Sequence, residues 1–212
     1  MQIAPKLRQR RADARPDEIL NAAARCFLEC GFSGAKVEHI AAGAGLSKGA
    51  VYLYFKSKED MLRALIERGI KRVARAAADR LDTDQGDPVR ALKEAARIFA
   101  QILSKPELFV VPRIVIAEAG NFPEIARLYR EEVIDVGMGA MQRLIKRGQA
   151  SGVFIQVDPQ AVVRSLVGPF VMQMVWRTTF ERPGEQVLDP EVLVASHLEI
   201  VLNGLCTGKE NQ

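Results

Sequence analysis

Ser47, Lys48, Tyr52, Tyr54, Lys56 and Lys58 crowd a hydroxyl, two phenols and three ammonium groups into one short stretch. Groups of this kind are phosphate ligands, and a capped helix start among them adds free amides and a positive dipole end. A second basic segment precedes them. Residues 1–15 hold Lys6, Arg8, Arg10, Arg11 and Arg15 against Asp13, which accounts for the whole formal charge of +4. The remainder of the chain is balanced. A basic arm on a neutral remainder suits a polyanion, either nucleic acid or a membrane surface. Arg8, Arg10 and Arg11 are candidates for phosphate contact without base reading.

The elements that must position these groups read as helices. Arg15-Pro16-Asp17-Glu18 opens the first, with Pro and two acids suited to a first turn. Ile19, Ala23, Cys26, Phe27 and Cys30 repeat at helical spacing, and Gly31 ends it. Short helices follow over 37–44 and from Ser47 to about Tyr54, joined by a tight turn at Gly45. Val37, Ile40, Leu46 and Val51 give this pair a shared apolar face. Ser57-Lys58-Glu59-Asp60 forms a capping box that opens a long fourth helix carrying Met61, Leu62, Leu65, Ile66 and Ile70 inward. A polar turn at 82–88 opens a fifth helix. Pro106 and Pro112 punctuate a sixth, and Pro123 opens a long seventh. Asp158-Pro159 and Asp189-Pro190 open the last two, near 159–181 and 190–206. The pattern is all-α with nine helices. Pro169, after Gly168, should bend the eighth.

Composition removes other classes. The chain of 212 residues is 48% apolar, enough for a core. No apolar run approaches the roughly 18–20 residues of a membrane-spanning helix. The start of the chain has no apolar signal region. Three cysteines argue for reduced thiols in a cytoplasm, and Cys26 and Cys30 read as core residues. No nucleophile–base set, phosphate-cradling glycine loop or metal-ligand cluster can be assembled, which argues against an enzyme and implies no cofactor or metal.

Residues 16–66 resemble the tetracycline-repressor (TetR) family of bacterial transcription regulators. The resemblance lies in Ile40-Ala41, Ala44-Gly45-Leu46-Ser47, Lys48-Gly49, Val51-Tyr52, Tyr54-Phe55 and Ser57-Lys58-Glu59. It implies a homodimer with an N-terminal DNA-reading head and a C-terminal ligand and dimerisation body, that is, an arm at 1–15, a helix-turn-helix domain at 16–60 and a body at 61–212. It assigns DNA contact to Lys36, Ser47, Lys48, Gly49, Ala50, Tyr52, Tyr54 and Lys58. Two departures stand out. Ala35 occupies the place of a capping threonine, leaving Ser33 as a possible cap and Lys36 as a possible phosphate contact. Ala50 replaces a polar base reader and can touch only a thymine methyl. Residues 107–176 resemble the AefR-type C-terminal domain through Arg113-Ile114-Val115-Ile116-Ala117-Glu118-Ala119 and Phe122-Pro123-Glu124.

Phe99, Ile102, Phe109, Arg113, Ile116, Met138, Met141, Met174 and Trp176 are candidates for an apolar ligand pocket, since methionines and aromatics suit varied apolar ligands. Arg113 and Glu118 are charges in an apolar helix, either solvated or polar handles. The resemblance places the last two helices at a dimer seam, with Val162, Leu166, Phe170, Leu193, His197, Leu198 and Val201. The reading is a repressor released from a pseudo-palindromic operator by a small apolar or amphipathic molecule. An effector-independent DNA-organising protein and a helical protein-interaction module are the alternatives.

Overall fold

The computed structural model describes residues 4–104, 106–182, 184–186 and 188–207, with side chains from residue 15 onward except 102–109 and 178. The side chains of Arg8, Arg10 and Arg11, and those of Ile102 and Phe109, lie outside the described residues. The helices are α1 (Ala4–Gly34), α2 (Val37–Gly43), α3 (Lys48–Tyr52), α4 (Lys58–Arg68), α5 (Ile70–Thr83), α6 (Pro88–Ser104), α7 (Pro106–Glu118), α8 (Pro123–Tyr129), α9 (Asp135–Ala150), α10 (Pro159–Val175) and α11 (Pro190–Leu205). Two π-helical turns, Arg130–Ile134 and Trp176–Phe180, follow α8 and α10. Counting α4–α5 and α8–α9 as single runs gives the nine expected helices among the described residues. No strand occurs among them, only one isolated bridge between Phe154 and Cys206.

The chain packs as two units. The first comprises residues up to Lys71 together with Val110–Tyr129. Its interior is the apolar face read from the periodicity: Ile19, Ala23, Phe27, Ile40, Val51, Met61, Leu62 and Ile66 are all buried. Burying each of the larger of these is worth about 1.5–3 kcal/mol, so α2 and α3, too short to persist alone, are held by packing. α1 packs against α2 and α4, and α8 packs against α4. This grouping differs from a division at residue 60. The apolar stripe of α4 is buried in the first unit, and Val110, Val111, Ile114, Val115 and Ile125 join it.

The second unit comprises Arg72–Phe109 and residues from Arg130 onward. Leu92, Leu144, Ile145, Phe154 and Val163 form its fully enclosed centre, and Met138, Met141, Val162, Leu198 and Val201 pack around them. Phe154 is seated on Gly148, where an added Cβ would lie 2.1 Å from the phenylalanine ring. The end of α11 and the residues just after it are tied in by Ile155 N–H to Leu205 C=O (2.8 Å) and Thr207 N–H to Val153 C=O (3.0 Å). Asp158 and Asp189 cap α10 and α11 as their Asp-Pro pairs require.

Three local expectations change. α1 is described from Ala4, so the backbone of residues 4–15 of the segment read as an arm is helical, with Pro16 further along the same helix. Gly31 does leave the helix, at φ 69°. The long fourth helix is interrupted at Gly69 (φ −100°, ψ −95°), where a ψ outside the helical region breaks the ladder between α4 and α5. Cys26 is buried, but Cys30, one turn on, is exposed and is not a core residue. α10 runs through Pro169 to a π-turn at Trp176.

Candidate nucleic-acid interface

The turn between α2 and α3 is built from backbone bonds. Gly45 takes φ 66°, a conformation that glycine adopts without a Cβ penalty. Its N–H donates to Ala42 C=O (3.1 Å), and Leu46 N–H donates to Ala41 C=O (2.9 Å). This is the paired closure of a glycine-terminated helix, and it redirects the chain within two residues. Ser47 then caps α3, its Oγ accepting from Ala50 N–H at 3.2 Å. Val51 is the buried anchor of the five-residue helix. Ser47, Lys48, Gly49, Tyr52 and Tyr54 are left exposed, with Ala50 half-buried and Leu53, 84% exposed, at the tip.

Lys48 reaches back across the turn. Its Nζ donates to Glu38 Oε1 at 2.6 Å and lies 5.9 Å from the centre of the Tyr52 ring. This bond holds the Glu38 carboxyl below its ordinary range and raises the Lys48 ammonium. Glu38 therefore orients Lys48 on α3 and competes with any phosphate for it. Sequence spacing hid this pair, because a helix-turn-helix brings the two residues together across the turn. Lys58 is placed differently. Its Nζ donates to Phe32 C=O (2.8 Å) and lies over the Phe32 ring, so its charge closes the end of α1.

The start of α2 has no side-chain cap. Lys36, at the N-cap position, is exposed and makes no capping bond, and Ala35 is buried. Ser33 does not substitute, because its hydroxyl donates to Glu118 instead (2.6 Å). The expected cap at α4 is present with its return bond one residue early: Ser57 Oγ accepts from Asp60 N–H, and Asp60 Oδ2 accepts from Lys56 N–H (3.0 Å), ahead of the cap residue.

The remaining site residues divide between the units. Arg113 is half-buried and Ile116 exposed in the first. In the second, Phe99 packs on Phe170 with ring centres 5.0 Å apart, and Met138 and Met141 lie against the core. Met174 is buried, and Trp176 is exposed beside Phe180 on a π-turn. Leu166 and Phe170 are buried within the chain, and His197 Nε2 lies 3.0 Å from Ser165 C=O. These three join α10 to α11 internally. Val162, Leu193, Leu198 and Val201 are half-buried. The exposed apolar residues of the two helices are Val171, Met172, Val192 and Ile200.

A short, capped helix with a polar first turn, held by a glycine turn on a buried partner helix, defines a helix-turn-helix DNA-binding protein. Residues 19–65 match the family described as "Bacterial regulatory proteins, tetR family", and residues 82–190 match "Tetracyclin repressor-like, C-terminal domain". The chain belongs to the tetR family and is a DNA-binding transcriptional regulator. The C-terminal match spans the stretch 107–176 under a tetracyclin repressor-like description that does not name the AefR-type domain. The chain is 29% identical to the uncharacterized HTH-type transcriptional regulator YfiR of Bacillus subtilis over 76% of its own length and 78% of that protein. It is 30% identical to the HTH-type transcriptional repressor NicS of Pseudomonas putida over 70% and 69%. Among solved structures it resembles SmeT, the repressor of the Stenotrophomonas maltophilia multidrug efflux pump SmeDEF, with TM-score 0.72 and 25% identity over 92% and 91% of the two chains. No helix among the described residues is long and apolar enough to cross a membrane.

Proposed function

We propose that the protein is a repressor that occupies a pseudo-palindromic operator as a homodimer and is released by a small apolar or amphipathic molecule. The observation that carries this reading is the exposed first turn of α3. Ser47, Lys48, Gly49 and Ala50 are presented at a capped helix end, with Tyr52 and Tyr54 beside them. In the major groove, Ala50 reads a thymine methyl, while Lys48 and the phenols hold phosphates. Lys36 and the arginines of the amino-terminal segment add phosphate contact. Repression is supported by the names of NicS and SmeT. Dimerisation is assigned to α10 and α11, with Met172, Val192 and Ile200 as the apolar surface to be covered. The effector is assigned to the second unit, where Phe99, Met138, Met141, Met174 and Trp176 supply adaptable apolar surface.

A salt titration against operator and random duplex DNA tests the reading. The expected result is a steep salt dependence with at least about a thousandfold preference for the operator. Steep salt dependence without preference indicates a DNA-organising protein, and no DNA binding indicates a protein-interaction module. The operator is obtained by sequencing DNA that co-purifies with the protein.

A further inference from the structure

The second unit carries a basic depression that the DNA-binding reading does not use. It has a volume of about 370 Å³ and is lined by Arg80 and Asp84 at the end of α5 and by Arg90, Lys93, Glu94 and Arg97 on α6. Four cations surround two carboxylates. Glu94 accepts from Arg97 Nε and Nη2 (3.0 and 2.8 Å) and lies 3.4 Å from Arg80. Asp84 accepts from Arg90 Nη2 through both oxygens (3.0 and 2.9 Å). Lys93 is exposed and has no carboxylate partner among the described residues. The depression therefore keeps a surplus of two positive charges.

The surplus is held in place. Arg143 makes a two-bond clamp on Asp82 (2.9 and 2.7 Å), and Arg147 donates to Leu81 C=O and Asp84 C=O, which fixes the turn that forms one wall. Gly86 N–H donates to Asp84 Oδ1 (2.9 Å), which holds the Asp84 carboxylate that Arg90 meets. Each half-buried carboxylate orients a guanidinium while leaving some of its N–H groups for a further acceptor. Guanidiniums oriented in advance lose less freedom on binding an anion.

We infer that this depression binds a small dianionic phosphomonoester. A phosphate of charge about −1.5 to −2 matches the surplus and offers three acceptor oxygens to the unused donors of Arg80, Arg90 and Arg97 and to Lys93. The volume is that of a small-molecule site, at the low end of about 300–1,000 Å³.

The test is calorimetric titration of the full chain with inorganic phosphate, in chloride buffers matched for ionic strength. Saturable binding is expected, weakened at least about tenfold by Arg90→Ala and by Lys93→Ala, each removing charge-assisted bonds. Lys146→Ala, an exposed cation on α9 outside the depression, should leave binding unchanged. The assignment is overturned by phosphate uptake that does not saturate, by equal loss in Lys146→Ala, or by binding that survives in the Arg90→Ala/Lys93→Ala double variant. It is also overturned if that double variant loses affinity for random duplex DNA, because the depression would then track a nucleic-acid backbone.

Discussion

Ser33 donates its hydroxyl to Glu118 at 2.6 Å, joining the end of α1 to the end of α7 across 85 residues of sequence. The other Glu118 oxygen accepts from Asn121 Nδ2 at 2.8 Å. Beside this pair, Phe32 meets Phe122 edge-on at 5.1 Å, and Lys58 lies over the Phe32 ring. The residues that lead from α1 into α2 are thus fastened by α4 and by the α7–α8 corner, all within the first unit. With no cap of its own, the start of α2 relies on this fastening for its direction.

Ser33→Ala and Glu118→Ala should each lower operator affinity several-fold without touching DNA. The double variant should be no worse than Glu118→Ala alone, which removes the Ser33 bond together with the Asn121 one. Operator titrations on the four proteins complete the cycle; additive losses would show that the two residues act separately. Ser33 and Asn121 hold the Glu118 carboxyl below its ordinary range, so the link is intact above that range. It is lost as pH falls through the lowered value, and Glu118→Ala should remove this contribution to the acid side of the binding profile.

Glu38→Gln should strengthen DNA binding. The substitution removes an anion beside the expected phosphate path and leaves Lys48 with only a neutral amide oxygen to compete with phosphate. A several-fold gain on operator and random DNA alike is expected. Lys48→Ala should reduce the salt slope by about one unit. Unchanged affinity in Glu38→Gln would mean that Lys48 does not face DNA.

Ser47→Ala should cost the first unit about 1 kcal/mol by leaving the Ala50 amide without its side-chain acceptor. Denaturant unfolding measures it. Lys36→Ala should leave stability within about 0.5 kcal/mol, because Lys36 is exposed and makes no capping bond.

Gly148→Ala separates helix propensity from packing. Alanine in a helix interior is favoured over glycine by about 1 kcal/mol. Here its methyl would overlap the Phe154 ring, and overpacking of a tight core costs about 1–3 kcal/mol. Net destabilisation in thermal unfolding is expected, and a stabilised variant would show that Phe154 can move aside.

Ile200→Asp and Met172→Asp should yield monomers with an intact helical spectrum, read by sedimentation at micromolar concentration. Leu166→Ala should instead lower the unfolding free energy by about 2–5 kcal/mol while the chain still associates, because Leu166 is buried within the chain. Monomers from Leu166→Ala and dimers from Ile200→Asp would reverse the assignment.

Local signals were legible where one residue type has one physical use. Gly31 and Gly45 adopt the left-handed turns read for them, and Ser47, Ser57, Asp158 and Asp189 cap the helices they were read to open. Periodicity located the buried stripes of α1 and α4 for the same reason. Pairings across a turn or between distant helices left no local trace. Glu38 and Lys48 are ten residues apart, and Glu118 read as a solvated charge or a pocket handle when it is the partner of Ser33. Helical spacing also cannot separate the inner and outer apolar faces of α10 and α11: Leu166 and Phe170 are buried within the chain, whereas Met172 and Ile200 are exposed. The π-turns shift register by one residue, which a period of 3.6 does not register.

The first unit takes its residues from two separated stretches of chain, and this bears on the order in which the protein is made. During synthesis the segment up to Lys71 leaves the ribosome well before Val110–Tyr129. Until then Phe32 lacks its Phe122 neighbour, Ser33 lacks Glu118, and α4 lacks the cover of α8. The DNA-reading fold is therefore finished late, after the second unit's first helices, α5 and α6, have been made. A fragment cut at residue 71 is accordingly an incomplete domain with an open apolar flank.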